Sequence, residues 1–88
     1  MFVAEIDSKI IAFGSVVVED NEIRALYVHP DYTRVGVGSK VLARLEKHAR
    51  QKRLTTLKLA SSLVAVEFYE KHGYQRGETF FLHIETIL

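Results

Sequence analysis

Gly36 and Gly38 stand where a polar turn gives way to an amphipathic pattern, in the stretch DYTRVGVGSKVL at residues 31–42. Backbone N–H groups at the start of a helix have no intrahelical partner, and with the macrodipole they present about half a positive charge outward. Glycine at these two positions removes the side chains that would hold a pyrophosphate away. It also permits φ values that turn several amides toward one centre. The chemistry on offer is phosphate binding, although the same glycines would serve a tight strand-to-helix turn that needs them for conformation alone. Two other glycine loops fit worse: a dinucleotide fingerprint needs a third glycine where this chain has Val41, and a Walker loop needs Gly-Lys-Ser/Thr where it has Gly38-Ser39-Lys40.

Other chemistries find little support. The chain has no cysteine, so it offers no disulfide framework, thiolate nucleophile or Cys-rich zinc site. Its four histidines, His29, His48, His72 and His83, are never three or four residues apart, and no metal site is expected. His29 is read as ending a strand and the other three as surface or half-buried groups. Twelve basic against eleven acidic residues leave a net charge of +1, which provides no sequence-wide field for nucleic acid. Arg44, Lys47, Arg50, Lys52 and Arg53 are interrupted by Glu46 and read as a solvated helix face. No apolar run approaches the roughly 20 residues of a membrane span, so no membrane partner is expected and the location expected is cytoplasmic.

The elements that must position the glycines follow from periodicity. The 88 residues, 48% hydrophobic and without linker or repeat, predict a single domain over 1–88. MFVAEI and IIAFGSVVVE flank the polar DSK and predict a hairpin; EDNE supplies a second turn before EIRALYV, which ends at His29 ahead of Pro30. Alternation there groups Ile23, Ala25 and Tyr27 against Arg24, Leu26 and Val28. From Ser39 the period changes to three and four, with Val41, Leu42, Leu45 and Ala49 on one face, predicting a helix to about Arg53. TTLKLAS reads as a strand. Ser61 or Ser62 can cap a second helix with Ala65, Phe68, Tyr69 and His72 on one stripe, ended by Gly73. ETFFLHIETIL closes with a strand, following a short one near Tyr74 and Gln75. The order βββαβαβ predicts an α/β (α+β) sandwich, with the crossover making strands 3 and 4 parallel neighbours.

At this point two motifs together resemble a known family. LYVHPDYTRVGVGSKVL is similar to the acetyl-CoA loop of the GNAT family, the Gcn5-related N-acetyltransferases, whose pattern is Gln/Arg-x-x-Gly-x-Gly/Ala. ASSLVAVEFYEKHGY resembles its second segment through Ala65, Phe68, Tyr69, Gly73 and Tyr74. Thr33 holds the first motif position with Arg34 one place later, and Ser62 stands where many members carry an Asn bonded to the pantetheine arm. Members usually have a further strand and two helices before this hairpin, so the chain resembles a short form, natural or a fragment, with an open acceptor side or one completed by another subunit.

The resemblance implies a mixed, mostly antiparallel sheet with a splayed parallel pair and two packed helices. It implies acetyl-CoA as co-substrate, bound by Leu26, Tyr27 and Val28, by the loop Thr33, Arg34, Val35, Gly36, Val37, Gly38 and Ser39, and by Ser62, Phe68 and Tyr69. The Val28 N–H is the implied donor to the thioester oxyanion and Tyr69 the implied acid at the departing thiolate. Glu22, eleven positions before Thr33 as in the histone-acetyltransferase branch, is the implied base. Against these stand ordinary sheet pairing for Val28, a core aromatic for Tyr69 and a solvated hairpin carboxylate for Glu22, with Glu19 and Asp20 in the same turn. Without cysteine, direct transfer to a primary amine of a small molecule or peptide in a ternary complex is the implied route. The rivals are an inactive CoA-binding or regulatory module and a structural domain, and an uncovered sheet points to a homodimer.

Overall fold

The computed structural model describes residues 2–33, 35–60 and 66–84. Strand β1 (Phe2–Ile6) and strand β2 (Lys9–Val17) form the expected hairpin about Asp7 and Ser8, whose φ values are 51° and 65°. Two successive left-handed residues match the twist of the flanking strands, and short polar side chains tolerate that conformation. A 3-10 turn over Val18–Asp20 and the left-handed Asn21 lead into β3 (Glu22–Val28). After a second 3-10 turn at Pro30–Tyr32 come α1 (Val37–Gln51), β4 (Thr56–Leu59), α2 (Val66–Lys71) and β5 (Phe81–His83). The sheet runs in the order β1-β2-β3-β4-β5, with β3 and β4 parallel and the other pairs antiparallel. A helical crossover through α1 is what makes the parallel pair possible.

Element boundaries shift where a backbone cause is visible. Gly36, at φ 81°, turns the chain directly into α1, which starts two residues ahead of Ser39. The helix stops at Gln51, because Arg53 adopts a φ of 62°. Gly73 takes the expected left-handed conformation, φ 91°, after α2, while Ser61, Ser62 and Ala65 lie outside the described residues. Near Tyr74 the expected short strand reduces to one bridge between Gln75 and Phe81.

Strand β3 corrects the simple alternation expected for it. Ser15 pairs with Ala25 and Val16 with Ile23, so Arg24 is an extra residue opposite β2. Such a bulge moves every residue beyond it to the other face. Ile23, Leu26 and Val28 therefore face the core, whereas Tyr27 is 42% exposed.

Helix α1 buries Val37, Val41, Leu42, Leu45 and Ala49, the stripe its period dictates, against Ala12, Ile23, Leu57 and Leu59. The segment around α2 joins the same layer: Tyr69 and Tyr74 belong to the core, and Tyr74 Oη donates to Glu46 Oε2 at 2.9 Å. The opposite sheet face carries a row in which Val3 pairs with Phe13 and Phe13 with Tyr27, the two rings stacked at 5.3 Å.

Candidate active site

Strands β3 and β4 stay paired for only two residues, Glu22 with Lys58 and Ile23 with Leu59. Ala60 N–H still reaches the Ile23 carbonyl at 3.0 Å, the last rung between these strands among the described residues. On the other side of β3, His29 N–H donates to the Ile11 carbonyl at 2.7 Å, while Val28 pairs with Ala12 and Leu26 with Gly14. Antiparallel geometry then directs the N–H groups of Tyr27 and His29 toward β2 and those of Leu26 and Val28 away from it. Two backbone donors thus face away from β2 with no partner among the described residues, and such groups seek one.

A cavity of about 310 Å³ lies beside this strand edge. Leu26 and Val28 line it from the strand, Thr33, Gly36, Gly38 and Ser39 from the loop and the start of α1, and Phe68 and Tyr69 from α2. The helix begins here without a side-chain cap and without an acidic residue in its first turn. Its leading amides and the positive end of its dipole are therefore available to an anion.

The two glycines have different reasons to be there. At Gly36 the φ of 81° demands glycine, yet nothing lies within 4 Å of where a Cβ would stand. Gly38 is an ordinary helical residue, but its Cβ would come within 3.2 Å of Val28 Cγ2 and 3.6 Å of the Phe68 ring. One glycine makes the turn and the other keeps the cavity open.

Tyr69 is 2% exposed, and burial pushes its phenol up to about 12. Its ring packs edge-on against Phe68 at 5.1 Å and Tyr74 at 5.4 Å. Among the described residues nothing hydrogen-bonds its Oη. The side chain is therefore a neutral donor held in the cavity wall.

Not every sequence-predicted residue is brought here. Glu22 accepts from Arg24 Nε at 2.7 Å, and Arg24 also bonds Asp20. The glutamate does not line the cavity, and it lies about 13 Å along the strand from Leu26. Tyr27 turns its N–H to β2 and its ring to the outer sheet face, Val35 is 64% exposed, and Val37 is buried in the core, so that only backbone groups of the last two can serve the loop. Arg34 and Ser62 lie outside the described residues. Sequence reasoning passed over His72: its Nε2 is 3.0 Å from Ser39 Oγ and its Nδ1 2.8 Å from the Phe68 carbonyl oxygen. A contact spanning 33 residues leaves no trace in local spacing. Among the described residues no cluster of three or more His, Asp or Glu is placed to hold a metal, and no helix is long and apolar enough to cross a membrane.

A strand edge with two donors that have no partner among the described residues, ending beside an uncapped helix N-terminus, suits a long ligand with amides in its arm and a phosphate at its end. Coenzyme A is a ligand of that shape. A family described as the acetyltransferase (GNAT) domain matches residues 1–76, and the chain belongs to this family. A GCN5-related N-acetyltransferase from Rhodopseudomonas palustris is 27% identical, with a TM-score of 0.84 over 93% of this chain and 59% of that one. An acetyltransferase from Bacillus cereus is 28% identical, with a TM-score of 0.77 over 94% of this chain and 71% of that one. PaiA N-acetyltransferase from Thermoplasma acidophilum, solved in complex with coenzyme A, is 27% identical, with a TM-score of 0.67 over 90% of this chain and 55% of that one. The chain thus spans less than two thirds of the Rhodopseudomonas and Thermoplasma proteins. No curated protein matches the sequence.

Proposed function

We propose that this chain is an acetyl-CoA-dependent N-acetyltransferase that moves an acetyl group directly to a primary amine in a ternary complex. The edge of β3 beyond Ile23 carries the reading, because the N–H groups of Leu26 and Val28 point away from β2 there and these residues line a cavity that ends on the first turn of α1. The diphosphate of coenzyme A takes the amides of Gly36 to Ser39, and the pantetheine arm runs along β3. Since Val28 packs next to the Gly38 position, it lies at the phosphate end. Leu26 is therefore better placed than Val28 to donate to the thioester carbonyl, a contribution of about 3 kcal/mol per donor in comparable sites.

The amine nitrogen attacks the thioester carbon, the oxyanion forms on the strand donor, and the C–S bond breaks. With a phenol near 12, complete proton transfer from Tyr69 to a thiolate of ordinary basicity is uphill by about 5 kcal/mol. Tyr69 acts instead by donating a hydrogen bond to the leaving sulfur. The amine must lose a proton, and Glu22, four residues before Leu26, receives it through water on this reading. With no cysteine in the chain, no thiolate carries the acetyl group in between.

The acceptor is an amine on a small molecule or peptide, and the setting proposed is the cytoplasm. The outer-face row of exposed Val3 and Tyr27 with half-buried Phe13 between them is proposed to meet a second copy of the chain, giving a homodimer. Light scattering at rising concentration that shows only monomer would overturn that part.

Thermal shift with acetyl-CoA, against adenosine diphosphate as control, followed by an amine panel, tests the whole. Stabilisation by acetyl-CoA beyond the control together with turnover supports the enzyme. Binding without turnover on any amine leaves a CoA-binding module, and no shift with either ligand removes the cofactor.

A further inference from the structure

The side chains of the Ser39–His72 pair have no part in the transfer just described, yet Ser39 lines the cavity. The Phe68 carbonyl can only accept, so His72 Nδ1 carries a hydrogen and donates it. In the neutral ring Nε2 has only a lone pair, and Ser39 Oγ must then donate to it. That arrangement leaves the serine nothing but lone pairs to offer the cavity. A diphosphate likewise brings only lone pairs, so the neutral pair opposes it. A proton on Nε2 reverses the bond: Nε2–H donates to Oγ, and the hydroxyl hydrogen is released toward the ligand.

We propose that His72 is a positioning residue for the cofactor's diphosphate, taking up a proton as the ligand binds and thereby turning Ser39 Oγ from acceptor into donor. The inference rests on the reading of the cavity as a coenzyme A site. The surroundings permit the change. From α1, the strip that carries Ser39 reaches its next charge at Glu46, two turns on and already bonded to Tyr74 Oη. From α2, the ring meets Phe68 at 4.6 Å; Tyr69 beside it is held neutral, and Glu70 pairs with Arg76. Lys40, Glu67 and Lys71 are exposed. Among the described residues no carboxylate pairs with His72, so a bound diphosphate is the nearest strong anion the ring would meet.

The test is calorimetric titration of the whole chain with coenzyme A in two buffers of different ionisation enthalpy, which counts protons taken up. His72→Gln keeps a side chain able to accept from Ser39 but unable to gain a proton; proton changes of the ligand's own phosphates are common to both proteins and cancel. The native protein is expected to take up more protons than His72→Gln. Its affinity should also gain about fivefold more on acidification, the difference between a neutral and a charge-assisted hydrogen bond. Ser39→Ala, which keeps the histidine but breaks the relay, should lose most of the excess. Equal uptake in native protein and His72→Gln overturns the inference while leaving the cofactor site intact. Failure of the native protein to bind coenzyme A overturns the site reading and this inference with it.

Discussion

Replacing the two loop glycines separately distinguishes a turn from a binding site. Alanine at Gly36 must adopt a φ of 81° with no neighbour within 4 Å, so its cost is purely conformational. A left-handed residue costs about 1–2 kcal/mol, and stiffening of the unfolded chain adds its own change of a few tenths or more, leaving a net loss of about 1 kcal/mol. In a domain of 88 residues that lowers the melting temperature by about 4–8 °C. The added methyl meets no protein atom, and because Gly36 lines the cavity its effect on cofactor affinity is measured apart from this loss of stability.

Gly38→Leu behaves in the opposite way. The position is helical, where a side chain is worth about 0.5–1 kcal/mol over glycine, partly offset by the 3.2 Å approach to Val28 Cγ2. The leucine then fills the cavity between Val28 and Phe68. At a ligand concentration of about 100 times the native dissociation constant, acetyl-CoA adds about 2.7 kcal/mol to native stability. If the leucine weakens binding a hundredfold, the same concentration adds only about 0.4 kcal/mol. Chemical denaturation of both variants with and without acetyl-CoA reads all four quantities. An undiminished ligand increment in Gly38→Leu would refute the assignment of the cavity, whatever happens at Gly36.

Two further outcomes follow from Tyr69. Tyr69→Phe should lower kcat by about 10- to 150-fold, the worth of a hydrogen bond to a charged sulfur, and leave KM for acetyl-CoA nearly unchanged; steady-state kinetics with equal turnover would remove the phenol from its role. In the folded chain this phenol titrates near 12 because it is buried, against about 10 when unfolded, so between those values the native state holds the extra proton and stability falls as pH rises. Urea denaturation should find the native protein about 1.4 kcal/mol less stable at pH 11 than at pH 9 from this group alone, with Tyr74, pushed upward by burial and by Glu46, adding in the same direction. Tyr69→Phe should flatten that slope.

How much of this was legible beforehand depended on the range of the signal. The hairpins and the α1 stripe rest on local spacing and the parallel crossover on the order of elements, and each stands as read. The bulge at Arg24 was invisible, because nothing in EIRALYV marks which residue β2 will fail to match. That single misfit decides that Leu26 and Val28, not Tyr27, face the helices. Glycine could be seen to matter at positions 36 and 38 but not for different reasons, since the distinction lies in φ at one and in the distance to Val28 and Phe68 at the other. The Ser39–His72 contact required the fold itself.

The bulge also bears on why the site exists. A bulge increases the right-handed twist of its strand, and a parallel ladder survives only where both strands twist alike. The β3–β4 pairing ends at Ile23 with Leu59, immediately before Arg24. One extra residue thus turns Leu26 and Val28 toward the helices just where the described β3–β4 rungs end, so the cavity and the two donors without a partner among the described residues have a common origin. The Arg24 side chain, bonded to Glu22 and Asp20, is exposed, and exposed ion pairs add little. The backbone holds the bulge on this argument. Arg24→Ala should therefore leave the melting temperature and coenzyme A affinity nearly unchanged, whereas deleting residue 24 should leave Ile23, Leu26 and Val28 on the core face of a regular β3 and weaken binding by removing the local twist. A large loss of coenzyme A affinity in Arg24→Ala, measured by calorimetry, would show that the ion pair and not the misfit with β2 keeps the strands apart.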